Sequence, residues 1–195
     1  MKYRLTEETF QFGSHILHRI ECVTAFVYVK EGGKGGWIES EENLSQYGDA
    51  WVYDNAKVYG NAEVRGNAKV CGNADVCGNA EVYGDAEVYD NAWVSGNADV
   101  CGNADVCGNA KVYGNAWVCG NAKVCGDADY IVFKNWWSSG RYYTWTRSNN
   151  KWRVGCFYGT GEELIAKAYK DSEVSGREYK RVVDYVNSIL QEGKI

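Results

Sequence analysis

From residue 50 to residue 130 the chain alternates apolar and variable positions on a strict six-residue cycle. Alanine stands at Ala50, Ala56, Ala62 and every sixth residue to Ala128; two positions later comes valine, from Val52 to Val124, with Tyr130 in the last slot. Asn or Asp precedes each alanine, and Gly precedes that, except at Asp54 and Asp90, so the unit reads Gly-Asn-Ala-x-Val-x. The stretch Ala-x-Val-x has strand period, with Ala and Val on one side. Gly-Asn tolerates positive φ and turns the chain. A short strand and a corner every six residues make one side of a polygon, and successive coils must stack so that backbone groups pair and the Ala and Val slots form a thin core. A helix fails twice, because a six-residue period holds no face of it and Gly-Asn would break it.

The segments flanking the repeat change pattern, as the ends of a stacked array should. Residues 1–36 read as a β cap, a hairpin drawn from Tyr3–Leu5, Ile16–Ile20 and Ala25–Val29, with Gly32–Gly36 as a flexible lead-in to the first coil. Residues 131–195 read as a small α+β domain of about three strands and two helices. Ile131–Phe133 is a strand, and Arg141–Arg147 with Lys151–Phe157 form a hairpin about Asn149-Asn150. Thr160-Gly161-Glu162-Glu163 and Ser175-Gly176-Arg177-Glu178 are capping boxes that open two helices. With a two-residue turn Trp145 faces Val154, which puts Tyr143, Trp145, Trp152 and Val154 on one sheet face, under the helices.

The run Val58-Tyr59-Gly60-Asn61-Ala62-Glu63 resembles the hexapeptide repeat of left-handed parallel β-helices. The resemblance implies a mainly β fold in which three hexads close a triangular coil of 18 residues. Residues 37–130 then make about five coils, a rod about 25 Å long, with Ile38 and Leu44 in the alanine slot of an irregular first coil. The left hand is carried by the resemblance alone. Lys2-Tyr3-Arg4-Leu5, Gly35-Gly36-Trp37-Ile38 and Gly48-Asp49-Ala50-Trp51-Val52 resemble the start of enterobacterial hexapeptide-repeat proteins assigned as acetyltransferases, and the whole arrangement is similar to uncharacterised repeat proteins of phages and prophages.

Charge divides the chain as the pattern does: residues 1–49 carry −3, 50–129 carry −6 and 130–195 carry +4. No run of 18 apolar residues crosses a membrane and the N-terminus has no secretory h-region. The expected setting is cytoplasmic, the host cytoplasm if phage-encoded, with the 8 cysteines as reduced thiols.

Acyltransferases of the resembled family use a histidine general base. Here both histidines, His15 and His18, lie in the N-terminal cap, and three-histidine zinc chemistry is excluded by number. Cys71, Cys77, Cys101, Cys107, Cys119 and Cys125 follow valines, with Cys107 under Cys125 and Cys101 under Cys119 in an 18-residue coil. They read as small residues between stacked strands, with no metal and no cofactor implied. The other outward slots, from Trp51 to Asp129, read as a solvated surface with stacked pairs such as Lys69 beside Glu87 and Asp105 beside Lys123. The unusual chemistry lies in residues 134–153, where cations interleave with aromatics and no acid falls between Tyr130 and Gly161. The candidate binding residues are Trp136, Trp137, Arg141, Arg147, Lys151 and Arg153, with Trp136, Trp137, Arg141 and Arg153 the better exposed. The expected function is a non-enzymatic solenoid interaction protein of phage or prophage type. Its C-terminal domain binds a host protein or an anionic ligand, nucleotide or nucleic acid, and the protein could act as a counter-defence inhibitor. The alternative is an acyltransferase, degenerate or with its site between subunits. Homo-oligomers stay open.

Overall fold

A computed structural model of the chain describes residues 1–193, so the last two residues of the C-terminal segment 131–195 lie outside the described residues. Thirteen two-residue strands, β4 (Trp51–Val52) to β16 (Lys123–Val124), recur every six residues. Each pairs in parallel with strands 18 residues away, so that Trp93 lies between Asp75 and Lys111, and three sheets close a β-solenoid of about five coils. Every repeat alanine from Ala50 to Ala122 and every valine from Val52 to Val124 is buried in one continuous core. The corners run through positive φ. At Gly78 (φ 72°) a Cβ would sit 2.9 Å from the Gly96 amide nitrogen, so the stacked corners need glycine. Asp54 and Asp90 take the same conformation, and their carboxylates accept from the amides of Gly72 and Gly108 one coil on, at 3.2 and 3.1 Å.

The coils are joined by a polar ladder. The amides of the outward residue, of the residue after valine and of the asparagine face the following coil, as in Lys57 N to Ala74 O, Tyr59 N to Val76 O and Asn55 N to Gly72 O (2.9, 3.1 and 3.0 Å). The matching Gly, Ala and Val carbonyls face the preceding coil. The first coil therefore leaves these carbonyls bare and the last coil leaves these amides bare.

The N-terminal cap differs in detail from the sequence expectation. β1 (Tyr3–Phe12) and β2 (His15–Cys22) form the hairpin, but Ala25–Val29 is a tight turn closed by Phe26 and Val29 rather than a strand. The third strand is β3 (Lys34–Ile38), in place of the flexible lead-in at Gly32–Gly36; it pairs antiparallel with β2 and parallel with β5 (Lys57–Val58). Gly35 and Gly36 serve close approach, since a Cβ on either would come within 2.6 and 2.7 Å of the Val52 and Ala56 carbonyls respectively. Ile38 pairs with Val58 and Leu44 with Val64, so both fill the valine slot and not the alanine slot. The first coil is two residues longer than 18, because Ser45–Asp49 puts five residues between Leu44 and Ala50 where a regular hexad has three. Trp51, expected outward and solvated, is buried beneath Tyr3 and Phe26.

At the far end β17 (Tyr130–Lys134), β18 (Tyr142–Thr146), β19 (Lys151–Val154) and β20 (Phe157–Gly159) form a four-stranded antiparallel sheet, one strand more than the pattern suggested. Trp145 faces Trp152 and not Val154, because the turn has four residues. A shift of two preserves the faces, and Tyr143, Trp145 and Trp152 are buried with Leu164, Ala168, Tyr179, Val183 and Val186. The helices are α1 (Gly161–Asp171), with the Thr160–Glu163 capping box in place, and α2 (Glu173–Gln191). Ser172 caps α2 by accepting from Ser175 N, so the second helix starts earlier than the Ser175 box implied. The opposite sheet face lies on the last coil, with Tyr130 and Val132 packed against the rod core.

Candidate functional site

The loop between β17 and β18 is built on Asn135, which is nearly fully buried. Its Nδ2 donates to Tyr179 Oη (3.0 Å), its Oδ1 accepts from Ser138 N and Oγ (3.0 and 3.1 Å), and its own amide bonds Arg141 O (2.8 Å). This clamp fixes the direction of the two tryptophans. Trp136 is 74% exposed, whereas Trp137 turns inward onto Tyr179 with ring centroids 4.9 Å apart. Trp137 is thus half-buried against Tyr179, where the sequence pattern suggests an exposed side chain. The Trp137 Nε1 and Tyr143 Oη atoms are buried without a hydrogen-bond partner.

Beside the loop a cleft of about 290 Å³ opens between the β19–β20 turn and α1. Arg141, Lys167, Asp171 and the exposed thiol of Cys156 line its walls, with Leu164, Ala168 and Tyr179 at its floor. A Cβ at Gly155 (φ 56°) would stand 3.3 Å from Arg141 Nη1, so the guanidinium lies across that glycine. Burial pushes the Tyr179 phenol up; the Asn135 hydrogen bond opposes this, and Asp171 and Arg141 act on it with opposite signs. Two cations against one carboxylate leave the cleft net positive. An anionic group entering it meets charge-assisted donors over an aromatic floor.

The other predicted residues lie elsewhere. Arg153, expected exposed, stacks its guanidinium 3.8 Å over Trp117 at the junction between sheet and rod, and its Nε is buried. Sheet alternation puts it on the rod face, opposite Thr144. There Cys101 receives the Trp117 indole N–H at 3.3 Å. The thiol is drawn below its ordinary range, first by a hydrogen bond from Cys119 and then by Tyr83, Trp117 and Arg153, against burial; Cys119 is pushed up in turn. Both thiols are buried, so this cluster packs the junction. Arg147 and Lys151 sit at the tip of the β18–β19 hairpin, Arg147 exposed and Lys151 half-buried. Of the six candidates, only Arg141 lines the cleft, with Trp136 and Trp137 on the adjoining loop. Lys167 and Asp171 were missed. The signal was the α1 periodicity, since a core stripe through Leu164 and Ala168 places both on its flank.

The histidines of the cap are engaged within it. His15 Nδ1 lies 2.9 Å from the Glu39 carboxylate, which also accepts from Gly60 N (2.7 Å); the His15 bond is the main cause holding the Glu39 carboxyl below its ordinary range. His18 Nδ1 lies 3.4 Å from Thr6 O. Among the described residues no group of three His, Cys, Asp or Glu side chains is placed to hold a metal ion, and no helix is long and apolar enough to cross a membrane. Cys107 and Cys125 stack as the 18-residue coil requires. Their Cα atoms lie 4.5 Å apart and their sulfurs are in contact. The Lys69–Glu87 pair forms at 2.8 Å, while Asp105 and Lys123 are in register. No protein-family model matches the chain, and no curated protein matches its sequence.

Proposed function

We propose that the protein is a non-enzymatic binding module of phage or prophage type. In this reading the rod is a rigid platform and the C-terminal domain captures an anionic group, of a nucleotide or of a host protein. The observation that carries it is the cleft itself, lined by Arg141 and Lys167 together with Tyr179, with the exposed Trp136 on the neighbouring loop. A planar base stacks on an exposed indole while its phosphate takes the cations. The cleft's volume suits one such group and not an extended polymer. Sequestering a host nucleotide or protein in this way is the form that a counter-defence inhibitor would take.

Calorimetric titration with a panel of nucleoside mono- and diphosphates tests the reading. Binding should be saturable and weaken about tenfold or more in Arg141→Glu/Lys167→Glu, with the melting temperature of the unliganded protein unchanged. Arg153 is left intact because it belongs to the junction. The competing acyltransferase reading would rest on His15, oriented by Glu39 as a general base would be. Saturable acyl-CoA binding that is lost in His15→Ala would favour it over the binding module.

A further inference from the structure

The capping sheet has two outer strands. β20 is three residues long and leads straight into α1, but β17 is five residues long and its outer side is open. In the β17–β18 ladder Tyr130 faces Thr146 and Lys134 faces Tyr142. The flanking bonds, Arg147 N to Asp129 O and Asn135 N to Arg141 O at 2.8 Å each, mark the odd-numbered residues as those that bond inward. Antiparallel ladders alternate, so the N–H and C=O groups of Tyr130, Val132 and Lys134 point away from β18. Among the described residues none of these backbone groups has a partner. A groove of about 450 Å³, lined by Tyr113, Asn115, Val132 and Tyr142, runs beside that edge.

Another long edge in the molecule shows what protection looks like. β1 carries exposed Glu7 and Glu8 and an irregularity between Leu5 and Thr9, devices that discourage strand addition. β17 reads Tyr-Ile-Val-Phe-Lys, without proline, bulge or charge before its last residue.

We propose that β17 pairs antiparallel with β17 of a second copy of this chain, about a two-fold axis at Val132. The outward residues are symmetric about Val132, so Tyr130 faces the partner's Lys134 and Val132 faces the partner's Val132, each facing pair exchanging two hydrogen bonds. Charge selects this arrangement. Asp127 and Asp129 precede the strand and Lys134 ends it, so antiparallel pairing sets the basic end of one copy beside the acidic end of the other, whereas parallel pairing sets like beside like. The two four-stranded sheets become one sheet of eight, with all four helices on one face. This inference does not depend on the anionic cleft.

Sedimentation of the full chain over a concentration series tests it. The wild type forms a dimer. Val132→Pro, whose lost N–H points outward, is a monomer with an unchanged far-ultraviolet spectrum. Lys134→Glu weakens the dimer several-fold, most strongly at low ionic strength. Should Val132→Pro unfold the sheet, the wild type still decides: the amides of Tyr130, Val132 and Lys134 exchange as slowly as those of Ile131 and Phe133. A wild type that is monomeric at every concentration, leaving a foreign extended peptide as the edge's occupant, overturns the proposal, as does fast exchange at those three amides or a dimer that survives Val132→Pro.

Discussion

The two ends of the rod face the same geometric problem and solve it with opposite chemistry. At the first coil carbonyls are bare, and the cap supplies donors. Lys2 Nζ donates to Ala50 O (2.8 Å), Tyr3 Oη to Leu44 O (2.6 Å), and Asn43 Nδ2 to Gly60 O and Ala62 O (2.9 and 2.8 Å). At the last coil amides are bare, and the cap supplies acceptors. Asp127 Oδ1 takes Lys111 N (3.0 Å), Thr144 Oγ1 takes Trp117 N (2.8 Å), Ser148 Oγ takes Lys123 N (2.7 Å) and Asp129 Oδ2 takes Cys125 N (2.8 Å). Two carbonyls there, of Lys111 and Cys119, accept from the hydroxyls of Tyr130 and Tyr158. A parallel stack has a direction, so neither cap could replace the other. The C-terminal domain is thus a lid on the last coil, and its deletion would uncap the rod.

The largest effect should come from the donor end. Asn43 is fully buried, and its Oδ1 also accepts from Glu39 N and Ser40 N at 3.1 and 2.9 Å. Asn43→Ala strands four backbone groups at once and should cost about 3 kcal/mol in denaturant unfolding. A loss near that of an exposed Asn→Ala change, such as at Asn97, would mean that water satisfies these groups and that capping is not what Asn43 does.

The acceptor end should lose less. Thr144 is 1% exposed and makes a single capping bond. Thr144→Val keeps the shape, removes the acceptor and should cost about 1–2 kcal/mol, with faster amide exchange at Trp117. An overpacked core residue calibrates both ends. Ala92→Leu, in the middle of the rod, should cost about 1–3 kcal/mol without changing exchange at either cap.

Acidity also separates the ends. Burial pulls the Lys2 ammonium down to about 8, with Asp49 opposing. Between about pH 8 and the ordinary lysine range near 10.5 the unfolded chain holds a proton that the folded chain has released, so this group makes stability rise with pH in that window. Burial pushes the Tyr3 phenol up, so above about pH 10 the unfolded chain releases a proton that the fold retains and Tyr3 makes stability fall. Lys2→Met should therefore remove a rise in unfolding free energy between about pH 8 and 10. Equal slopes for wild type and variant in that range would show that the Lys2 ammonium is not held against its hydration.

What the sequence disclosed follows from this directionality. The Ala and Val slots are translationally repeated, so one hexad carries the information of all, and the core was legible down to its residues. The ends are unique. Ile38 falls in the valine slot only because Ser45–Asp49 adds two residues, which no local propensity signals. Gly35 and Gly36 look flexible in sequence, yet they are fixed by the carbonyls of Val52 and Ala56 pressed against them. In the C-terminal domain the face assignment survived a wrong hairpin register because a shift of two keeps parity. The exposure of Arg153 did not follow, because the rod covers the outer face of the sheet. Arg141 was legible as a cation among aromatics, but Lys167 joins it through a helix packing that only the tertiary structure brings together.

The smallest effect is predicted at Ser148, and it sharpens the comparison most. Its hydroxyl caps Lys123 N at 2.7 Å, a shorter bond than the Thr144 cap, but Ser148 is exposed. In Ser148→Ala water reaches the freed amide and replaces the hydroxyl, so the cost should stay under about 0.5 kcal/mol although the bond is fully lost. Amide exchange at Lys123 should quicken while the melting temperature barely moves. In Thr144→Val the amide of Trp117 and the melting temperature should change together. The contrast separates hydrogen bonding from desolvation at one end of one ladder, with the same donor type and acceptor type. If Ser148→Ala destabilises the protein as much as Thr144→Val does, the cap works through bond formation itself. Burial of the amide would then not set the cost, and exposed and buried caps would stabilise the rod alike.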